Sequence, residues 1–200
     1  MIQNILRTLT LLLPALAASR VGAQPVTYAI DPAHSSAQFS VRHMMVSNTK
    51  GEFTKVEGTI IYDAKNPSAT KVEALIDAGT INTREPKRDS DLRGEEFFDV
   101  AKYPKVTFKS KQVTRTGDGQ LLVKGDLTIR DVTKEVLLTV DGPTPEVKDQ
   151  RGRLKIGASA TTKINRREFG LRYNQLLETG GVVVGDEVSI SLDIEAARKQ

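Results

Sequence analysis

The chain has 200 residues, of which 38% are hydrophobic and 27% are charged, a balance typical of an ordinary globular domain and not of a disordered chain. Its 29 Lys and Arg and 25 Asp and Glu give a net charge of +4, but basic and acidic residues alternate along the sequence, so the basic face of a nucleic-acid-binding protein is not expected. The chain contains no Cys, which excludes a disulfide scaffold, a thiolate metal site and a cysteine nucleophile.

Residues 1–23 are predicted to be a secretory signal peptide. A cationic start is followed by a short apolar run and by Val21-Gly22-Ala23, the small residues of a cleavage site. A membrane-spanning helix needs about 20 apolar residues, whereas this run is interrupted by Pro14 and ended by Arg20. We therefore expect cleavage after Ala23 and an exported domain at 24–200 without a stable membrane anchor.

The exported part predicts β-strands almost throughout. Apolar and polar residues alternate with a period of two, which places the apolar side chains of a strand on one face. Tight turns are predicted at Gly117-Asp118-Gly119 and at 130–134, so consecutive strands should be antiparallel neighbours. Eight such segments are found, at 36–43, 55–62, 71–78, 105–109, 121–130, 136–140, 154–160 and 187–194.

Longer connections are predicted at 44–51, 82–104 and 166–185. The 82–104 connection is rich in charge and predicts a short helix. Periodicity alone does not separate a closed barrel from a two-sheet sandwich, but strands of about ten residues, roughly 33 Å long, favour an up-and-down barrel. Small inward residues such as Gly58, Ala74 and Ala160 leave space, so an elongated dry cavity and a tapered, filled core are both open.

The polar residues offer little support for catalysis or for a bound metal. His34 and His43 are the only imidazoles, and no G-x-S-x-G elbow or phosphate loop accompanies them. Glu95 and Glu96 point to opposite sides of a helix or strand, which gives no acid/base pair. We expect no enzyme activity, no metal and no cofactor. His43, followed by Met44, is expected either to be a buried scaffold histidine or to meet the polar head of an apolar ligand.

Short motifs along the whole exported domain resemble those of the YceI-like polyisoprenoid-binding proteins of bacteria. The motifs are, in chain order, Tyr28-Ala-Ile-Asp31, His34-Ser35, Phe39-Ser-Val-Arg-His43, Gly51-Glu-Phe53, Ile81-Asn-Thr83, Arg88-Asp89, Phe97-Phe98-Asp99-Val100, Tyr103-Pro104, Gly125-Asp-Leu-Thr-Ile129, Asn165-Arg-Arg-Glu-Phe-Gly170 and Gly185-Asp186-Glu-Val188. Their order and spacing make the resemblance specific.

The resemblance implies an all-β fold, an eight-stranded antiparallel lipocalin-like barrel whose lumen takes a polyisoprenoid or another long-chain lipid. It also implies a periplasmic location and a homodimer, and it supplies no catalytic residues. Asp91 stands where many members of the family carry His, so a role attached to that imidazole does not carry over. The alternative function is an interaction or stress-response module with a filled core.

Two sets of residues are predicted to meet the ligand. The lumen set is expected to be Phe39, Val41, Ile60, Ile76, Phe108, Val123, Leu127, Leu138, Ile156, Ile190 and Leu192. The set at the mouth or head group is Arg42, His43, Met44, Met45, Phe53, Arg88, Leu92, Phe97 and Phe98. Arg166 is a further head-group candidate, although bracing of a loop is the favoured role for it.

Overall fold

The computed structural model describes residues 24–178 and 180–200; the predicted signal peptide lies outside them. Twelve strands and one α-helix form within these residues. In chain order they are β1 Val26–Ile30, β2 Ser36–His43, β3 Ser47–Phe53, β4 Val56–Tyr62, β5 Lys71–Asp77, β6 Ile81–Asn82, α1 Pro86–Arg93, β7 Lys105–Gly117, β8 Gln120–Ile129, β9 Val132–Asp141, β10 Val147–Lys148, β11 Leu154–Asn165 and β12 Val184–Arg198. Among the described helices, none has the length and apolar character to cross a membrane.

The strands close into one antiparallel barrel. The hydrogen-bonded order runs β11-β9-β8-β7-β5-β4-β1-β12, and β12 pairs again with β11 to complete the ring. The β11–β12 ladder is long, from Lys155↔Ala197 to Asn165↔Glu187. The predicted antiparallel barrel is thereby confirmed, and the two-sheet sandwich is not formed.

At three of the positions around the ring, two separate strands lie end to end and together take the place of one long strand. β1 and β2 pair in succession with the same edge of β12, through Ile30↔Ala196 and Ser36↔Asp193. β4 and β3 likewise lie beside β1 and β2, and β5 and β6 lie beside β4 and β3. Counting each pair once gives eight positions, in which β7 and β12 lie diametrically opposite each other.

The 82–104 connection contains the expected short helix, α1. Pro86 occupies the first turn, where its missing N–H costs nothing, and the Glu85 carboxylate accepts hydrogen bonds from the backbone N–H groups of Lys87 and Arg88. The helix ends before Gly94. The helix and the turn after it lie across one end of the barrel, called the helix end below, because Leu92, Phe97 and Phe98 face its interior.

The predicted connection at 44–51 is wrong, because β3 occupies 47–53. Its residues Ser47-Asn-Thr-Lys-Gly-Glu-Phe53 show no apolar alternation until Phe53. They pair with β2 over the full length from His43↔Ser47 to Ala37↔Phe53. Hydrogen-bonded pairing with β2, which does carry apolar residues, stabilises this strand, whereas its own composition does not predict one.

Candidate functional site

The barrel encloses an apolar cavity of about 260 Å³. Side chains from all eight positions of the ring line it, and the wall they form is apolar. An apolar cavity of about 150 Å³ can stay dry and bind a small hydrocarbon. The tapered, filled core that the sequence left open is therefore not formed, and the interior has room for an apolar guest.

Ten of the eleven predicted lumen residues line this cavity. They are Phe39, Val41, Ile60, Ile76, Phe108, Val123, Leu127, Leu138, Ile190 and Leu192. Phe39, Phe108 and Leu192 are only half-buried, although they point inward, because the cavity itself leaves part of their surface accessible.

Ile156 is the exception, and its predicted place in the lumen wall is wrong. It is 4% exposed and packs with Tyr28, 3% exposed, and Ala196, 0% exposed. These three residues lie on the adjacent strands β1, β11 and β12, toward the end opposite α1, and are called the plug below. Val26, Ile60 and Tyr62 pack against them. The alternation of β11 places Ile156 on the inner face correctly, but the inner face is closely packed at this level.

The Tyr28 hydroxyl extends from the plug to the surface. It donates a hydrogen bond of 2.8 Å to Glu146 Oε1. Burial, together with this hydrogen bond to a carboxylate, raises the pKa of Tyr28 from 10.0 to about 12. The neutral phenol is therefore the form that the folded barrel holds over the physiological range.

Four predicted mouth residues lie at the helix end of the cavity: Phe53, Leu92, Phe97 and Phe98. The Phe53 ring lies 5.9 Å from Phe39 and meets Phe98 edge-to-face at 5.4 Å. Centroid separations of this size are favourable for aromatic pairs. The three rings of Phe39, Phe53 and Phe98 form a continuous aromatic wall from the lumen to the helix end.

The other predicted mouth residues do not line the cavity. Arg42, Met44 and Met45 are exposed, and the Arg42 guanidinium donates to the Met45 carbonyl at 2.9 Å. His43 is half-buried at the end of β2, opposite Val184. The turn from β2 to β3 carries these side chains away from the interior, so contact between any of them and a head group stays a prediction.

Arg88 braces the loop in front of α1. Its Nε and Nη2 donate to the hydroxyl and the carbonyl oxygen of Thr83, at 2.8 and 3.0 Å. The Thr83 hydroxyl in turn donates to buried Asp89 at 2.5 Å. Arg88 does not line the cavity, and these contacts are those of a scaffold residue.

Arg166 lies at the helix end and is among the residues that line the cavity, but its guanidinium is bonded to the protein. It is 4% exposed and donates to the carbonyl oxygens of Gly185, Leu171, Tyr173 and Val184 at 2.8, 2.5, 2.8 and 3.1 Å. Asp186 Oδ1 accepts a fifth bond at 3.3 Å, so every N–H of the group has a partner. Burial lowers the pKa of Arg166. These contacts support the loop-bracing role that the sequence favoured.

The sequence did not single out several other lining residues. Val72 and Ala74 share the inner face of β5 with Ile76, and Val188 and Ile194 share that of β12 with Ile190, so strand alternation was a sufficient signal for them. Thr70, Pro143 and Leu171 also line the cavity but lie outside regular strands, where no local pattern identifies an inward residue.

A polar cluster lies on the outer face of the barrel. Lys155 Nζ donates to Asp31 Oδ2 at 3.2 Å and also to Glu195, and His34 Nδ1 lies 3.1 Å from Asp31 Oδ2. Asp31, His34 and Glu195 could serve as metal ligands, but the Lys155 ammonium already forms ion pairs with both carboxylates. Although burial opposes it, hydrogen bonding with His34, Ala33 and Lys155 holds the pKa of Asp31 below its ordinary value.

An eight-stranded antiparallel barrel of this kind belongs to the class of small barrels whose interior holds side chains or one small ligand. The match to a family model is specific: the model of the YceI-like domain matches residues 28–196. The chain belongs to the YceI-like family.

Relatives and solved structures agree with this assignment. A UPF0312 protein of Staphylococcus aureus strain bovine RF122 / ET3-1 is 35% identical over 168 residues, which cover 84% of this chain and 95% of that protein. The crystal structure of a Campylobacter jejuni YCEI protein superposes with a TM-score of 0.66 at 26% identity, covering 96% of this chain and 100% of that one. A polyisoprenoid binding domain from Saccharophagus degradans has the same fold, with a TM-score of 0.62 at 14% identity, covering 87% and 99%.

Proposed function

We propose that this protein binds a long-chain isoprenoid or a similar lipid in its lumen, without catalysis, and carries or stores it in the periplasm. The apolar cavity of about 260 Å³ carries the proposal. The polyisoprenoid-binding domain of the same fold supports the choice of ligand class. An interaction module with a filled core, the alternative considered from the sequence, has no support in a barrel with this cavity.

The affinity of such a site would come from transfer of the ligand out of water. Each buried methylene contributes about 0.8 kcal/mol, so one isoprene unit contributes about 4 kcal/mol. The loss of ligand freedom costs about 4–15 kcal/mol, so roughly one to four buried units offset it. Since the wall is apolar, specificity should depend on the length and width of the ligand.

The polar groups at the helix end are already engaged with the protein. Arg88 and Arg166 hydrogen-bond to protein oxygens, and the polar cluster around Lys155 lies on the outer face of the barrel. This arrangement supports binding of an apolar tail over recognition of a charged head group. It also supports a binding protein over an enzyme, because the described residues that line the cavity include no Asp, Glu, His or Lys to form a pair for acid/base chemistry.

Titration of the delipidated protein with geranylgeraniol tests the proposal. We expect saturable binding to one site, measured by native mass spectrometry. Ala158 lines the cavity and is half-buried, so Ala158→Leu should lower the affinity by about tenfold or more by occupying part of the lumen. Ala69 is exposed on a short helical turn, and Ala69→Leu provides the matched control.

Equal affinity in the wild type and both variants would place the ligand outside the lumen and contradict the proposal. Failure of the wild type to bind any long-chain alcohol would contradict it as well.

A further inference from the structure

The apolar interior of the barrel contains two main clusters of buried side chains that border the cavity. One lies toward the helix end and includes Val56, Val106, Ile129 and Ile164. The other lies toward the opposite end and consists of Val113, Leu121, Val123, Leu138, Val140 and Ala160. The cavity runs past both of them. The part of the lumen beside the first cluster is called the outer compartment below, and the part beside the second is called the inner compartment.

Two half-buried side chains, Phe108 and Leu192, pack against both clusters. Phe108 belongs to β7 and Leu192 to β12, the two strands that lie diametrically opposite each other in the ring. Both side chains line the cavity. They therefore project from opposite walls of the lumen, at the level where the outer compartment meets the inner one.

Leu192 projects from a wall of small side chains. Its partners in the two neighbouring strands are Ala37 on β2 and Ala160 on β11. A leucine between two alanines extends beyond their methyl groups by the three carbon atoms of its isopropyl group. The two alanines leave space beside Leu192 along the wall.

Phe108 is held against the opposite wall and has little freedom to withdraw. Its ring lies over Gly125, where an added Cβ would be 2.5 Å from Phe108 Cζ and 2.6 Å from the Lys109 carbonyl oxygen. The ring therefore already touches the β8 backbone, and only a glycine, which has no Cβ, permits so close an approach. Ala74, its partner on β5, leaves space on one side of the ring.

We propose that Phe108 and Leu192 form a waist that makes the lumen selective for slender, extended apolar chains over wide, rigid ring systems. This inference rests on the proposed lipid-binding function and narrows its ligand class. A flexible chain passes beside the two side chains, over Ala74 and Ala160, into the inner compartment. A fused-ring molecule such as a sterol stops at the waist and buries only what fits in the outer compartment.

Competition between hexadecanol and cholesterol for the delipidated protein tests the waist. The quantity measured is the ratio of the two dissociation constants, by native mass spectrometry. The wild type should prefer hexadecanol by about tenfold or more. Phe108→Ala should reduce that preference by about tenfold, and Leu192→Ala, which widens the passage from the other wall, should change it in the same direction.

Phe39→Ala is the matched control. Phe39 also lines the cavity, is half-buried and lies over a glycine, Gly51, whose added Cβ would be 2.4 Å from its ring. It packs against the outer cluster alone, so its loss should weaken the binding of both ligands to a similar extent and change their ratio by no more than about twofold. If Phe108→Ala does not fold, judged by circular dichroism, Phe108→Leu carries the same expectation with a smaller shift.

The outcomes separate the waist from the function on which it rests. If hexadecanol binds but Phe39→Ala changes the preference as much as Phe108→Ala does, the waist is overturned and the proposed lipid binding stands. Equal affinity of the wild type for hexadecanol and cholesterol would also overturn the waist and leave the proposed lipid binding intact. If the wild type binds neither ligand, the proposed function fails, and the waist fails with it.

Discussion

The same substitution at two alanines of one ladder should have opposite effects on stability. Ala158 and Ala196 lie on the paired strands β11 and β12, where Ala158 faces Ile194 and Ala196 faces Ile156. Ala158 borders the cavity, whereas Ala196 is 0% exposed within the plug. Replacement of each by leucine therefore compares the hollow part of the barrel with its packed part.

The expected magnitudes follow from packing. Leucine adds three carbon atoms, each worth about 0.8 kcal/mol on burial, so Ala158→Leu is expected to raise the free energy of unfolding by up to about 2 kcal/mol. In the plug the added atoms have no space, and overpacking costs about 1–3 kcal/mol. The two variants should therefore differ by at least about 1 kcal/mol in unfolding free energy.

Urea unfolding of the delipidated proteins, followed by far-ultraviolet circular dichroism, provides the assay, because the chain has no Trp to serve as a fluorophore. A change in the urea midpoint at constant slope reports a change in stability alone. Equal destabilisation by Ala158→Leu and Ala196→Leu would show that the interior is closely packed at both levels and that no free space lies beside Ala158.

Three further predictions concern the plug, the helix end and the lumen wall. Tyr28, with its pKa raised from 10.0 to about 12, contributes stability that is present below about pH 10 and is lost as the pH rises through about 12, by at most about 3 kcal/mol because solvent screens the hydroxyl; Tyr28→Phe should remove that loss in alkaline unfolding titrations, and an unchanged pH slope would contradict it. Arg166→Met removes a donor from four carbonyl oxygens, of which only that of Val184 keeps a second donor, Asn174 Nδ2, and should lower the urea-derived stability by about 3–5 kcal/mol; a loss below about 1 kcal/mol would argue against the bracing role. Gly51→Ala should displace the Phe39 ring, lower stability by about 1–3 kcal/mol and weaken geranylgeraniol binding; unchanged affinity would show that this ring does not shape the lumen.

Strand alternation was sufficient to predict the barrel and most of its lumen. In a closed sheet every second residue of a strand faces inward, and most of these inward residues are apolar. Ile60, Ile76 and Leu138 follow directly from this rule. Local periodicity fails where the inward residues are not apolar. In β3 the residues on the face of Phe53 are Gly51 and Thr49, and the glycine is needed because the Phe39 ring lies over it.

The limits of the cavity could not be predicted from local sequence. Ile156 satisfies the inward pattern, but the residues that surround it, Tyr28 and Ala196, come from the two ends of the described chain. The same holds at the helix end, where Leu171 joins the wall from a connection without regular strands. Met44 and Met45 resembled flexible ligand contacts, yet the β2–β3 turn leaves them 45% and 53% exposed.

The most direct test of lipid carriage is native mass spectrometry of the protein purified from its own cells, before and after extraction with organic solvent. We predict an adduct before extraction with the mass of a single long-chain apolar compound, its loss on extraction, and its recovery when the extract is added back. A protein that carries no adduct when purified and takes up none from the extract would contradict the central claim that the lumen is a lipid-binding site.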